Sequence, residues 1–264
     1  SWRLALALAV PAAVLAAWQL PPRRLGGGDQ GAGLADDRGP ELRLLTLNVE
    51  RGQARAELLV SALLDCRADV LVAQEVTPEA VAWLDKAGLP ELFPHGVVDA
   101  RPDSAGAAIW SRWPLTALAP VPGLVSAAPR AVLHVGGRPV TLTCVHLPPP
   151  VAGRARRWQA ELAQLRSLPR TTAGPQLVAG DFNATRDHRP FRRLLAAGYR
   201  DCADAAARRR WPAVTWPSGG LRLPVMRLDH VLASRGDFTV AQSRTVRVAG
   251  TDHRGVLTVL RVRE

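Results

Sequence analysis

Short apolar runs that each end in one polar residue recur along this chain. Leu42-Arg43-Leu44-Leu45-Thr46-Leu47 ends at Asn48, Asp69-Val70-Leu71-Val72-Ala73-Gln74 at Glu75, and Val140 to Val145 at His146. Gln176-Leu177-Val178-Ala179 leads into Gly180-Asp181-Phe182-Asn183. Apolar runs of this length, bounded by turn residues, predict buried strands. Ala107 to Trp110 predicts another, and Ala131 to Val135 pairs with Val140 to Val145 as a hairpin around Gly136-Gly137. Pro148-Pro149-Pro150 forbids its continuation. Between the strands the period lengthens. Helices are predicted from Gln53 to Asp65 through Leu58, Leu59, Ala62 and Leu63, and from Pro78 to Lys86 with proline in the first turn. Two more are predicted from Ala155 to Leu168, with Leu162 and Leu165 on the apolar face, and through Phe191, Leu194 and Leu195. A loop-rich stretch, Ala203 to Pro224, carries Trp211 and Trp216. Arg227 to Leu232 then reads as a strand with Asp229 among apolar neighbours, and Thr239 to Val248 and Val256 to Val262 as the last two. The polar turn Thr251-Asp252-His253 separates these two.

The first forty residues follow another pattern. Leu4 to Leu20 holds no charge. As a helix it would span roughly 26 Å at about 1.5 Å per residue, enough for a bilayer core. Trp2 and Trp18 lie near its ends, with Arg3, Arg23 and Arg24 outside them, as at a membrane interface. A transmembrane anchor is expected. The rival is a cleaved signal peptide, with small residues at Ala16 and Ala17, which would make the protein secreted. Pro21 to Pro40, rich in glycine and without apolar periodicity, reads as a flexible tether. The expected organisation is therefore a membrane or signal helix over 1–20, a linker over 21–40 and one catalytic domain over 41–264.

Composition narrows the partners. With 264 residues and 47% hydrophobic content, the chain can fill the core of one large α/β domain plus an appendage. Its net charge is +11, carried almost wholly by arginine, since Lys86 is the only lysine. Such a surface favours nucleic acid, anionic lipid or a phosphorylated small molecule. Cys66, Cys144 and Cys202 are odd in number and lack metal-ligand spacing, so neither a disulfide framework nor a zinc site is implied. Cys144, inside an apolar run, reads as a small core residue.

The strand ends carry the candidate chemistry: Asn48, Glu75, His146, Asp181, Asn183, Asp229, Asp252 and His253. Asp181 and Asn183 are two apart and can face one cleft. An Asx-turn would account for them alone. Eight such residues at successive ends exceed what strand closure requires. Asp229 in an apolar strand needs a partner for its carboxylate. His253 is the expected partner, on the reasoning that both lie on neighbouring parts of one sheet.

The stretches Leu47-Asn48, Gln74-Glu75, Val145-His146, Gly180-Asp181-Phe182-Asn183, Arg227-Leu228-Asp229-His230 and Asp252-His253 resemble, in order, those of the endonuclease/exonuclease/phosphatase superfamily. That superfamily also contains bacterial sphingomyelinases and inositol-phosphate phosphatases. The resemblance covers Glu41 to Glu264. It implies an α/β fold, a four-layer sandwich of two mixed sheets flanked by helices. It implies that Glu75, with Asn48 and Asp252, holds a divalent cation. Oxygen donors without thiolate favour Mg²⁺ or Mn²⁺. Asp229 would orient His253, which would act as general base on water or bind a phosphoryl oxygen. Asp181 is the rival base. Asn183 and His146 would bind phosphate oxygens, and Arg130 matches an arginine that the family places before the hairpin. His230 should face away from the site and be structural. The implied activity is phosphoester hydrolysis, foremost a nuclease-like phosphodiesterase working by in-line attack of activated water. A phospholipid or sphingomyelin-type phosphodiesterase and a phosphomonoesterase are alternatives, and a non-catalytic polyanion-binding module is a remote one. No obligate protein partner is implied. Resemblance to membrane-anchored bacterial members places the catalytic domain on the extracytoplasmic side.

Overall fold

The computed structural model describes residues 39–168, 172–206, 213–219 and 224–263. The predicted anchor or signal helix, Leu4 to Leu20, and nearly all of the linker lie outside them. Among the described residues no helix is long and apolar enough to cross a membrane.

β1 (Glu41–Asn48) is followed by α1 (Ala56–Cys66), β2 (Val70–Gln74), α2 (Pro78–Lys86), a short α3 (Leu89–Leu92), β3 (His95–Asp99), β4 (Ala107–Ser111) and β5 (Leu115–Leu118). Then come β6 (Arg130–Val135), β7 (Arg138–His146), α4 (Ala155–Leu165), β8 (Gln176–Asp181), α5 (Arg189–Ala196) and β9 (Tyr199–Asp201). The chain closes with α6 (Cys202–Ala205), β10 (Asp229–Ser234), β11 (Phe238–Arg247) and β12 (Arg254–Val262).

The strands form two six-stranded sheets, in the orders β11-β12-β1-β2-β4-β3 and β5-β6-β7-β8-β10-β9. Each is mixed: β1 and β2 pair in parallel, as do β7 and β8, and the other pairs are antiparallel. Alternation along the strands sorts side chains into layers. Leu42 and Leu44 of β1 join Leu142 and Cys144 of β7, Leu177 and Ala179 of β8 and Val231 of β10 in the core between the sheets. Leu45 and Leu47 face outward and pack with Leu59 and Leu63 of α1 and Leu84 of α2. On the second sheet, Val145 and Val178 face outward against Trp158, Leu162 and Leu165 of α4 and Phe191 and Leu194 of α5. The result is helix, sheet, sheet, helix. Strands buried on both faces are mostly apolar, with buried polar side chains such as Thr46 and Gln74 bonded to each other, which is why β1, β2, β7 and β8 are legible as near-continuous runs.

Several boundaries differ from expectation. The helix predicted from Gln53 starts at Ala56, because Arg55 is extended (φ −66°, ψ 115°) and stands as the N-cap. The strand predicted from Arg227 begins at Asp229. Strands β3, β5 and β9 carry no sequence signal strong enough to predict. All three are sheet edges, and β3 and β5 leave half or more of their residues partly or fully exposed. Gly180 is explained by approach. With φ +145°, a Cβ there would lie 1.9 Å from the carbonyl oxygen of Val145 on β7.

Candidate active site

The parity that builds the core also builds the site. Asn48 continues the inward series Leu42, Leu44, Thr46; His146 continues Leu142, Cys144; Asp181 continues Leu177, Ala179; Asp229 precedes Val231, Ala233. All four therefore point between the sheets at the strand ends. Glu75 follows Gln74, and strict alternation would send it outward. Its left-handed φ of +59° breaks the alternation and brings its carboxylate to the same place.

The contacts confirm convergence. Asn48 Nδ2 donates to Glu75 Oε1 and to Asp181 Oδ2, both at 3.2 Å. His146 Nε2 lies 3.7 Å from Glu75 Oε1 and 3.9 Å from Asp181 Oδ2, while its Nδ1 bonds to the Ser104 carbonyl at 3.0 Å. A carbonyl only accepts, so Nδ1 carries a proton. Asn183, at φ +46°, closes an Asx-turn: its N–H donates to Asp181 Oδ1 at 2.8 Å and its Nδ2 to the Leu147 carbonyl at 2.8 Å. His253 Nδ1 meets Asp229 Oδ2 at 2.8 Å, and its Nε2 lies 3.7 Å from Asp181 Oδ2 and 3.8 Å from Asp252 Oδ1.

The Asp229–His253 pair exists, but not for the expected reason. Asp229 opens β10 of one sheet, whereas His253 precedes β12 of the other. The pair bridges the two sheets rather than lying within one. Arg130 is not brought to the site. Its guanidinium bonds to the Thr172 hydroxyl at 3.0 Å and the Ala119 carbonyl at 3.4 Å, and Thr172 precedes β8, away from the Asp181 end. His230 points to the outer face, as parity requires. There its Nδ1 meets Asp201 Oδ2 at 2.8 Å and its Nε2 meets the Ala184 carbonyl at 2.9 Å, with Phe182 and Phe191 packed against the ring.

Glu50 escaped sequence reasoning, and Trp216 stands out there only as an aromatic of the Ala203 to Pro224 loop, without its partner. Glu50 Oε2 accepts from the Asp252 N–H at 2.7 Å, a contact across 202 residues that no local pattern announces. Trp216 Nε1 donates to Asp252 Oδ2 at 2.9 Å, and the Ser218 N–H donates to the Asp252 carbonyl. The Trp216 loop is thus fastened to the Asp252 turn. Thr215 Oγ1 accepts from the Leu228 and Asp229 N–H groups, fixing the same loop to β10.

Electrostatically the site is crowded with carboxylates. Burial and then the nearby Asp229 charge push Asp181 above its ordinary value, against the pull of His253 and His146. Burial, then Asp252 and Glu75, push Glu50 up. For His253 burial acts downward, but the charge and hydrogen bond of Asp229, aided by Asp181 and Asp252, prevail and raise it to about 10. At neutral pH the ring is therefore an imidazolium, whose Nε2–H faces the cleft. Asp229 Oδ1 is buried without a partner among the described residues.

These residues fit a hard divalent cation. Glu50, Glu75, Asp181 and Asp252 offer oxygens in one region with no thiolate, and the mutual repulsion that raises Glu50 is what a cation would relieve. Asp181, Asp229 and His253 alone bring ligand atoms within 4.8 Å of one another, although His253 Nδ1 is already committed to Asp229.

A sequence model of the Endonuclease/Exonuclease/phosphatase family matches residues 45–253. No curated protein sequence matches the chain. Among solved structures, D. rerio TDP2 complexed with a single-strand DNA product is similar with a TM-score of 0.69 and 18% identity, over 84% of this chain and 99% of that one. The human Nocturnin catalytic domain with bound sulfate is similar with a TM-score of 0.65 and 17% identity, over 86% and 96%. The endonuclease/exonuclease/phosphatase protein from Beutenbergia cavernae DSM 12333 gives 0.63 and 19%, over 84% and 72%.

Proposed function

The chain belongs to the endonuclease/exonuclease/phosphatase family, and from that membership we propose that it is a nuclease-like phosphodiesterase acting by in-line attack of water. The observation that carries this reading is the meeting of Asn48, Glu75, His146, Asp181, Asp229 and His253 between the two sheets. Glu75, Asn48 and Asp252, with Glu50 beside them, would hold a divalent cation, with Mg²⁺ or Mn²⁺ suited to their oxygens. When bound, such an ion polarises the phosphoryl group and steadies the leaving oxygen.

The protein's own groups divide the remaining work. Asp181, whose burial and neighbouring Asp229 charge raise it above its ordinary value, takes the proton from the attacking water. His253 does not serve as base, because at neutral pH it already carries its proton. It donates from Nε2 to a phosphoryl oxygen where negative charge grows, and Asp229 holds the ring for that task. His146 and Asn183 flank Asp181 and bind the remaining phosphate oxygens. Asp252 is kept in register by Trp216 and Glu50.

The test is a panel of substrates with the full chain: single- and double-stranded DNA, RNA, phospholipids, a small aryl phosphodiester and phosphomonoesters, each with Mg²⁺ or Mn²⁺ and with chelator. Metal-dependent cleavage of the diesters is expected. Release of phosphate from monoesters alone, or cleavage of lipid alone, would refute the nuclease-like reading. The uncharged stretch Leu4 to Leu20 supports a membrane anchor, and resemblance to membrane-anchored bacterial members supports a catalytic domain outside the cytoplasm. Retention of the full chain on membranes through carbonate washing, with protease access in spheroplasts, is the expected result. Release by salt would overturn the anchor.

A further inference from the structure

The basic charge is not spread evenly over the two helix layers. Residues 154–200 hold ten arginines against three acids, and two of those acids, Glu161 and Asp181, are buried. Residues 55–92, which build the helices on the other sheet, hold three cations against seven acids. The topology puts the basic segment beside the site. β7 ends at His146 and β8 at Asp181, and the next element after each is a helix, α4 after residues 147–154 and α5 after residues 182–188. The starts of these helices therefore lie at the same edge as the catalytic side chains. They are also locked together there: Trp158 Nε1 donates to the Phe182 carbonyl at 3.0 Å, and the Trp158 and His188 rings meet edge-on at 5.1 Å.

Some of the arginines are already engaged. Arg157 pairs with Glu161 and Arg186 with Asp204, while Arg192 donates to main-chain carbonyls. Arg154, Arg156, Arg189 and Arg193 are exposed and have no carboxylate partner among the described residues. Arg154, Arg156 and Arg189 stand at the helix starts, and Arg193 follows Arg189 by one turn along α5; like charges so arranged favour an anion lying across them.

We propose that this α4/α5 ridge is the track for the phosphate backbone of a nucleic-acid strand, which reaches the cleft from the second sheet's side and not over the acidic α1/α2 side. This rests on the hydrolytic reading above and names its substrate class. Guanidinium groups bind phosphate oxygens bidentately. A membrane surface would need apolar groups to insert. Of the large apolar side chains exposed among the described residues, this region has only two valines, Val151 before α4 and Val125, whose N–H donates to Glu161 of α4, and no exposed aromatic or leucine, while Leu58, Leu64 and Trp83 lie on α1 and α2.

The test compares the wild type with the variant Arg154→Ala, Arg156→Ala, Arg189→Ala, Arg193→Ala. A control variant carries Arg244→Ala, Arg247→Ala, Arg261→Ala and Arg263→Ala. Binding of a short labelled single-stranded oligonucleotide with a hydrolysis-resistant phosphorothioate backbone is followed by fluorescence anisotropy over a salt series, with Mg²⁺ present. Each phosphate contact contributes about 0.7 to the slope of log affinity against log salt on a single strand, so the ridge variant should lose about 3 from that slope. The control should retain it, and both variants should cleave a small aryl phosphodiester like the wild type. Equal slopes in the ridge and control variants would overturn the ridge while leaving hydrolysis standing. Failure of the wild type to cleave the small diester would sink the hydrolytic reading, and the binding arm would still judge the ridge. Loss of binding to phosphatidylserine vesicles with unchanged oligonucleotide affinity would show a lipid-docking face and overturn the proposal.

Discussion

Replacing Asp229 by asparagine keeps the shape of the pair but removes the charge that holds His253 as a cation. In the wild type the ring titrates at about 10, so it is about 99% protonated at pH 8. Without the Asp229 charge, burial is opposed only by Asp181 and Asp252. A ring returned to the ordinary value of about 6.5 would be about 3% protonated at pH 8 and about 25% at pH 7. If the imidazolium is the working form, Asp229→Asn should lose about 30-fold in turnover at pH 8 and about fourfold at pH 7, and approach the wild type near pH 5. The assay is a pH–rate profile of both proteins with metal saturating and circular dichroism at each pH. The same shift bears on stability. Because the folded value is raised, the contribution is complete below about pH 6.5 and disappears as pH rises through about 10. The melting-temperature gap between the two proteins should therefore narrow across that window. An acid limb in the wild type that moves to lower pH in the variant would refute the cationic role and restore His253 as a base. An unchanged profile would remove the pairing itself from the mechanism.

Glu75→Gln should fold normally yet lose Mg²⁺ binding in calorimetric titration, and equal binding would take Glu75 out of the ligand set. Trp216→Phe removes the indole donor from Asp252 Oδ2. It should weaken metal affinity about tenfold, with little change in melting temperature; a melting loss without an affinity loss would make Trp216 structural only. Gly180→Ala places a Cβ 1.9 Å from the Val145 carbonyl oxygen at a φ of +145°. It should cost about 3 kcal/mol or more by denaturant titration, and a neutral outcome would mean that β7 and β8 separate freely.

The sequence alone determined the interior strands and which side chains stand at their ends. A strand covered on both faces admits few polar residues, mostly threonines, so a strongly polar side chain at the C-terminal end of the run marks the emergence. Asn48, His146 and Asp181 are read this way, and strand parity then turns them inward. It also turned His230 outward, to Asp201 and the aromatic pair Phe182 and Phe191. Edge strands β3, β5 and β9 were not legible, because a strand paired on one side only, with residues left in solvent, needs no continuous apolar run.

The tertiary structure decided which of those ends meet. Asn48 reaches Asp181 across 133 residues and Glu50 reaches Asp252 across 202, through the stacking of one sheet on the other. Local pattern fixes the direction of a side chain within its strand. It does not fix the partner, which depends on where a second sheet lies. For that reason sequence reasoning pairs Asp229 with His253 but assigns both to one sheet, and it expects Arg130 at a site from which its strand directs it toward Thr172. Glu75 shows the same limit within one residue: its left-handed φ, which periodicity does not announce, turns an outward position inward.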